Sequence, residues 1–239
     1  MEFVFVRHGQ PEWVRDGAPQ MDPVLTPLGH LQAARVAERL AKRGAAHVWC
    51  SPSRRTRETA APFTAHTGKE VTIVDDLLEI RLPDLSLAPP HSIGEVFREA
   101  RTRHPSAWWD GIPGGEDFRS FERRVRAALH AKLAGLGVTV ADAEHAQFHV
   151  PEGLGRVIVF GHGGTNAVAM TVLLGLHTVP WEWERFMLSH TGLLRLKAVP
   201  LGASHIFSVR AFNDCEHLEK AQRTVSQVRP ARTWALAVT

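Results

Sequence analysis

The chain has 239 residues, 44% of them hydrophobic, with a formal net charge of +3 and a sequence pI of about 9.2. That length supports one α/β domain with a sizeable core, and the scattered arginines form no basic stripe, so nucleic-acid binding is not expected while anionic substrates are compatible. Two cysteines outside any CxxC pair, Cys50 and Cys215, exclude a dense disulfide framework. With no basic leader and no apolar run long enough for a bilayer, the expectation is a soluble cytoplasmic protein without a membrane partner.

The first element is Phe3-Val4-Phe5-Val6, an unbroken run of strand formers stopped by Arg7-His8-Gly9. A run of this kind suits a buried central strand. It delivers Arg7, His8 and Gly9 to its C-terminal edge, where open α/β sheets bind ligands. Gly9 is expected to let the backbone approach a ligand. A polar loop, 10–25, contains Trp13. Thr26-Pro27 then starts a helix, Thr as N-cap and Pro at the first helical position, with Leu28, Leu31, Ala34, Ala37, Leu40 and Ala41 as its apolar face and Gly44 after its end. His47-Val48-Trp49-Cys50 reads as a second strand, about 53–65 as a helix and Val71-Thr72-Ile73-Val74 as a third strand. Alternating strands and helices predict a sheet with helices on both faces.

From about 80 to 115 five prolines break this pattern. The segment reads as an excursion with a short helix near 93–103. Its Trp108 and Trp109, together with Trp13, are candidates either for an aromatic binding surface or for packing the excursion onto the domain. A helix is expected over about 117–133, and 135–156 is read as a linker. Val157-Ile158-Val159-Phe160 is the next clear strand. It stops at Gly161-His162-Gly163-Gly164 and opens into a helix to Leu174, closed by Gly175. Two further strands are expected near 192–198 and 206–212, and the polar tail from about 219 receives no role. His145 and His149 have HxxxH spacing but lie in a polar stretch and are read as exposed; no metal set and no cofactor is expected.

Two strands thus end in the same way, a buried apolar run followed by His-Gly, which places His8 and His162 on one sheet edge. The helix start after His162 offers free N–H groups at Gly163 and Gly164, suited to an anion. The segment after Cys50 brings Arg54, Arg55 and Arg57 near that edge, Arg57 being read as solvated, and Glu79 follows the third strand. Two histidines, at least two arginines and one carboxylate suit phosphoryl transfer without a metal: cations hold the phosphate, a neutral His attacks and an acid protonates the leaving oxygen.

In these residues the chain resembles the histidine phosphatase superfamily, with its phosphoglycerate mutase-like fold. The matching segments run in the family's order: Arg7-His8-Gly9; Leu25-Thr26 to Gly29 with Gln32-Ala33; Ser51-Pro52 with Arg55, Thr59 and Ala60; Leu78-Glu79-Ile80; Pro113-Gly114-Gly115-Glu116; Gly161-His162-Gly163; and Asn213-Asp214 with His217-Leu218. The resemblance implies a three-layer α/β/α sandwich around a mainly parallel sheet. It implies His8 as the nucleophile that becomes phosphohistidine, with Arg7, Arg55 and His162 as the phosphate pocket, joined by Gly9 and Gly163. Glu79 stands at the proton donor's place. Glu116 matches a Gly-Glu-Ser segment in which Asp117 replaces Ser, so it is either a substrate contact or a structural carboxylate. His190 stands where relatives often have Asn, and its relation to the pocket is left open.

The implied activity is phosphomonoester hydrolysis. Gln10-Pro11-Glu12-Trp13 differs from the Glu-Ser-x-x-Asn that resembles mutases. A mutase-type phosphotransferase is the alternative, and a catalytically inactive binding module a more distant one. A phosphorylated small molecule is the expected partner, with a phosphoprotein as the other candidate.

Overall fold

In the computed structural model, which describes residues 1–89 and 92–225, the first strand behaves as its composition demands. Strand β1 (Glu2–Arg7) sends Phe3 and Phe5 to one face of a sheet and Val4 and Val6 to the other, all four at most 1% exposed. A strand buried on both faces needs a helical layer on each.

In chain order, β2 (Val14–Arg15) and β3 (Ala18–Pro19) form a small ribbon in the first loop, followed by α1 (Pro27–Ala41), β4 (His47–Cys50), α2 (Arg54–Thr67) and β5 (Thr72–Ile73). The excursion holds α3 (Ser92–Thr102), and the chain returns through α4 (Phe118–Gly135), β6 (Thr139–Asp142) and β7 (Gln147–His149). Then come β8 (Arg156–Gly161), α5 (Gly163–Leu174), α6 (Glu182–Arg185), β9 (Leu193–Leu201) and β10 (Ser204–Asp214). The central sheet runs β5-β4-β8-β1-β9-β10-β7-β6. Its first four strands are parallel, and the site lies at their C-terminal ends; β9, β10 and the β6–β7 hairpin extend it antiparallel. Helices α1 and α2 cover Val4, Val6, Val48, Ile158 and Phe160 on one face, while α4 and α5 cover Phe3, Phe5, Val157 and Val159 on the other. This is the expected α/β/α sandwich.

The helix starts follow the predicted chemistry. Thr26 caps α1, its Oγ1 accepting from Gly29 N–H at 3.0 Å, with Pro27 at the first position. Asp117 caps α4 through Ser120 N–H at 2.9 Å. Gly175 closes α5 in the left-handed conformation, φ 65°.

Two expectations are corrected. The buried stripe of α1 is Gly29, Gln32, Ala33, Val36, Ala37 and Leu40; of the expected face it keeps Ala37 and Leu40, whereas Ala34 is exposed and Leu31 is 39% exposed. Contact distance explains this: a Cβ at Gly29 would lie 2.3 Å from the Gln10 carbonyl oxygen, so this face needs small residues where the helix meets the end of β1. Segment 135–156 is not a plain linker. It contains the β6–β7 hairpin, whose turn is built on Asp142 Oδ1 accepting from Glu144 N–H and His145 N–H. His145 pairs with Asp142 at 2.8 Å in the open, and no group of three metal-ligating side chains occurs among the described residues. Among those residues, no helix is long and apolar enough to cross a membrane. Cys50 and Cys215 are both buried and free.

Candidate active site

Strand pairing brings the candidate residues together. Arg7 faces Gly161 in the β1–β8 register, and His8 N–H donates to the Gly161 carbonyl at 2.9 Å. Ser51 N–H donates to Phe160 O at 3.0 Å, so the ends of β4, β8 and β1 lie side by side. The result is a buried set: Arg7, His8, Arg55 and His162 are each no more than 9% exposed. The His8 and His162 ring centroids are 5.3 Å apart. Two open clefts of about 660 and 690 Å³ lie elsewhere, and none of these four residues lines either.

The carbonyl of Gly9 lies 2.8 Å from His8 Nδ1. A carbonyl only accepts, so Nδ1 carries the proton and Nε2 keeps its lone pair. Burial pushes His8 well below the ordinary histidine value, and the Arg55 and Arg7 guanidiniums add to this. The ring is therefore neutral at neutral pH. Gly9 is itself fixed, its N–H donating to Thr59 Oγ1 at 2.9 Å while that hydroxyl donates to the Arg55 carbonyl at 2.6 Å. This explains the four-residue spacing from Arg55 to Thr59: one side chain ties the turn after His8 to the backbone of the arginine. The small size of Gly9 serves packing, because a Cβ there would meet Gly29 O at 2.7 Å.

Arg55 points inward and lies over the Trp13 ring at 5.4 Å, with Asp22 Oδ1 3.7 Å from Nη1, whereas Arg54 and Arg57 are exposed. Its Nε is buried without a hydrogen-bond partner. Burial lowers Arg7 to about 10, with Glu79 opposing and Arg55 adding, so it stays cationic at neutral pH. His162 is the N-cap residue of α5; its Nε2 pairs with Ser51 Oγ at 2.8 Å, and its buried Nδ1 has no partner. Burial and the Arg55 and Arg7 charges hold His162 neutral as well. Gly163 backs onto Arg7, whose Nε would be 3.7 Å from a Cβ there.

Glu79 occupies the start of α5. Its Oε2 accepts from Gly164 N–H at 2.8 Å and its Oε1 from Thr165 N–H at 3.1 Å. A Cβ on Gly164 would come within 2.5 Å of Oε1, so the glycine makes room for the carboxylate. Two guanidiniums, one carboxylate and neutral histidines leave the site cationic, which suits a phosphate dianion.

Glu116 does not join this set. Arg124 takes both its oxygens, at 2.7 and 2.8 Å, and Arg81 N–H donates to Oε2 at 3.1 Å. Burial alone would raise this carboxyl, but the bonds from Arg124 and Arg81 outweigh it and hold it low. Arg124 also donates to the carbonyls of Asp76, Leu78 and Glu79. The pair thus anchors the backbone that carries Glu79. Leaving either partner unmatched in a buried pair costs roughly 3–5 kcal/mol.

The tryptophans divide. Trp109 packs edge-on against Phe118 and Trp108 stacks on Trp183, so both fasten the excursion to the domain; Trp13, over Arg55, adjoins the pocket. Several pocket residues were given no role from sequence: Ser51, Gln32, His190 and Thr224. His190 is 2% exposed with its ring centroid 5.7 Å from that of His8, and its Nδ1 lies 2.7 Å from Thr224 Oγ1. Gln222 and Thr224 of the tail therefore reach the pocket; 226–239 lie outside the described residues. The matched Asn213 and His217 had a family position but no chemical role. Both brace the turn that carries His190: Ser189 N–H donates to Asn213 Oδ1 at 2.7 Å, and His217 Nε2–H donates to Thr191 Oγ1 at 3.0 Å.

Comparison with known proteins agrees with this geometry. The sequence profile of the histidine phosphatase superfamily (branch 1) matches residues 3–204. A Yersinia enterocolitica protein named probable phosphoglycerate mutase GpmB is 28% identical over 199 residues, 82% of this chain and 84% of that one. Its Serratia proteamaculans namesake is 30% identical over 179 residues, 74% of this chain and 76% of that one. Among solved structures, a mycobacterial glucosyl-3-phosphoglycerate phosphatase in complex with inorganic phosphate aligns with a TM-score of 0.66 and 25% identity, covering 91% of this chain and 99% of that one.

The buried neutral histidines set a pH dependence of stability. Unfolded His8, His162 and His190 take up protons near pH 6.5, whereas in the fold all three sit well below that value. The unfolded state then binds more protons, so stability is full above about 6.5 and falls as the pH drops toward the folded values. Differential scanning fluorimetry should show a lower Tm at pH 5 than at pH 7.5, with a smaller fall in His162→Asn. An unchanged slope in that variant would contradict the assignment.

Proposed function

The chain belongs to the histidine phosphatase superfamily, and from that premise we propose that it is a metal-independent phosphomonoester hydrolase acting through phosphorylated His8. The observation that carries this reading is the proton arrangement on His8: Nδ1–H held by the Gly9 carbonyl, Nε2 unprotonated, two buried guanidiniums beside it.

The substrate's phosphoryl group is held by Arg7, Arg55, His162 and the N–H of Gly163. Ser51 Oγ–H donates to His162 Nε2, which leaves Nδ1–H to bond a phosphoryl oxygen. His8 Nε2 attacks phosphorus in line as the ester P–O bond breaks, and Glu79 gives a proton to the departing oxygen. In the second half, Glu79 takes a proton from water as the water oxygen attacks phosphorus. The P–N bond breaks, and neutral His8 and inorganic phosphate are released. The guanidiniums and the start of α5 stabilise charge on the equatorial oxygens throughout.

Small phosphorylated metabolites are the substrate class we favour, in line with the glucosyl-3-phosphoglycerate phosphatase among its structural neighbours. Phosphoproteins are the other candidate. The names of its mutase relatives support a second reading, return of the phosphoryl group from His8 to a substrate hydroxyl. The Gln10-Pro11-Glu12-Trp13 segment favours hydrolysis, and with His8, Arg7, Arg55, His162 and Glu79 all in place, an inactive module is disfavoured.

Wild type should hydrolyse p-nitrophenyl phosphate in the presence of EDTA, and His8→Ala should lose that activity. Loss in EDTA with rescue by a divalent ion would overturn the metal-free reading. General acid catalysis contributes on the order of 10²–10⁴-fold. Glu79→Gln should therefore slow an alkyl phosphate by about that much and the nitrophenyl ester far less, since nitrophenolate leaves unaided. Equal losses on both would remove Glu79 as the acid.

A further inference from the structure

On the phosphoryl-transfer reading above, we infer that His190 is a further phosphate-binding residue, offering a neutral Nε2–H to the phosphoryl group, and that residues 220–225 fix that proton in place.

The position comes first. His190 sits in the turn before β9, and that turn is bonded to the end of the catalytic strand. Thr191 N–H donates to Arg7 O at 3.0 Å and to His8 O at 3.3 Å, while Arg7 N–H donates to Gly192 O at 3.3 Å. Thr191 has φ 55°, a left-handed conformation costly for a β-branched residue, and it is fully buried. Its hydroxyl donates to His190 O at 2.8 Å, so the contact at 3.0 Å must be His217 Nε2–H donating to it. The backbone is thus held in a strained form that brings the His190 ring beside His8.

The proton follows from a chain of partners with fixed roles. Gln10 N–H donates to Gln32 Oε1 at 2.8 Å, which orients the Gln32 amide. Gln32 Nε2 donates to Gln222 O at 2.7 Å and to Thr224 Oγ1 at 2.9 Å. Thr224 Oγ1 accepts from Gln32, and His190 Nδ1, 2.7 Å away, is the acceptor that the described residues offer for its own proton. A second tie locks the pair, His190 N–H donating to Thr224 O at 2.8 Å. An imidazole that accepts at Nδ1 carries its proton on Nε2. No described residue accepts from that Nε2–H, and the ring lies between the nucleophile and the C-terminal segment. Burial and the nearby Arg7 charge hold the ring neutral. Other charged or titratable groups facing it are His8 and, beyond that ring, Arg55 and His162. A neutral donor on a buried ring 5.7 Å from that of His8 can serve the phosphoryl group as a binding element.

Two measurements test this. In protein labelled with ¹⁵N-histidine, long-range ¹H–¹⁵N spectra report each ring's tautomer, independently of any turnover. Wild-type His190 should show its proton on Nε2, and Thr224→Val should shift it toward Nδ1; a wild-type proton on Nδ1 would overturn the inference. Orthovanadate, a mimic of the transferring phosphoryl group, is the binding probe. His190→Leu should weaken vanadate binding by about 10- to 100-fold, as loss of a hydrogen bond to a charged group does. His190→Gln, which restores an N–H donor, should recover part of it. Equal binding by wild type and both variants would refute the inference while leaving the reaction intact. Failure of wild type itself to bind vanadate would remove the reading of the site, and this inference with it.

Discussion

On the proposed mechanism, His8 attacks phosphorus only while one ring nitrogen holds its proton and the other keeps its lone pair, and the Gly9 carbonyl at 2.8 Å decides which is which. Much of the surrounding structure serves that contact. Thr59 fixes Gly9 from α2, Gly29 presses against it from α1, and His8 N–H is spent on β8. Burial then keeps the imidazole neutral between two guanidiniums, because a third charge in that volume would be far costlier than a neutral ring. On the proposed mechanism, cations beside an uncharged imidazole both attract a phosphate and leave a lone pair able to attack it.

The same logic extends outward. Glu79 is carried on a fixed backbone, because Arg124, held by Glu116, donates to the carbonyls of Asp76, Leu78 and Glu79. His190 needs a fixed turn, and Asn213, His217 and the strained Thr191 supply it. Sequence positions far from the pocket thus act on it through hydrogen bonds whose donors and acceptors are set, not through contact with substrate.

What could be read from sequence was whatever depends on local order. Apolar runs ending in His-Gly placed both histidines on one edge, and the Thr26-Pro27 and Asp117 helix starts stand where predicted. The Arg55–Thr59 spacing singled out the inward arginine. The errors arose where size or long-range pairing decides. Leu28 and Leu31 drew the expected face of α1 partly off the buried one, which shares Ala37 and Leu40 with it but is selected for smallness at the Gly9–Gly29 contact. Gly9, expected to give clearance to a ligand, also gives clearance to a helix, which only the fold reveals. Glu116 gave no sign of Arg124, eight residues on, as its partner. The β6–β7 hairpin turns on an Asp side chain without the Asn-Gly or Asp-Gly signal of a tight turn. Thr224 looked like tail because its partners, Gln32 and His190, lie 192 and 34 residues away.

The most direct test of this account is to find the phosphoryl group on the enzyme and name the atom that bears it. Glu79→Gln should be mixed with p-nitrophenyl phosphate and quenched in base, where phosphohistidine survives. Mass spectrometry and ³¹P NMR would then locate the group. The account predicts an acid-labile phosphoryl on Nε2 of His8. A phosphoryl on Nδ1, or on another residue, would contradict it.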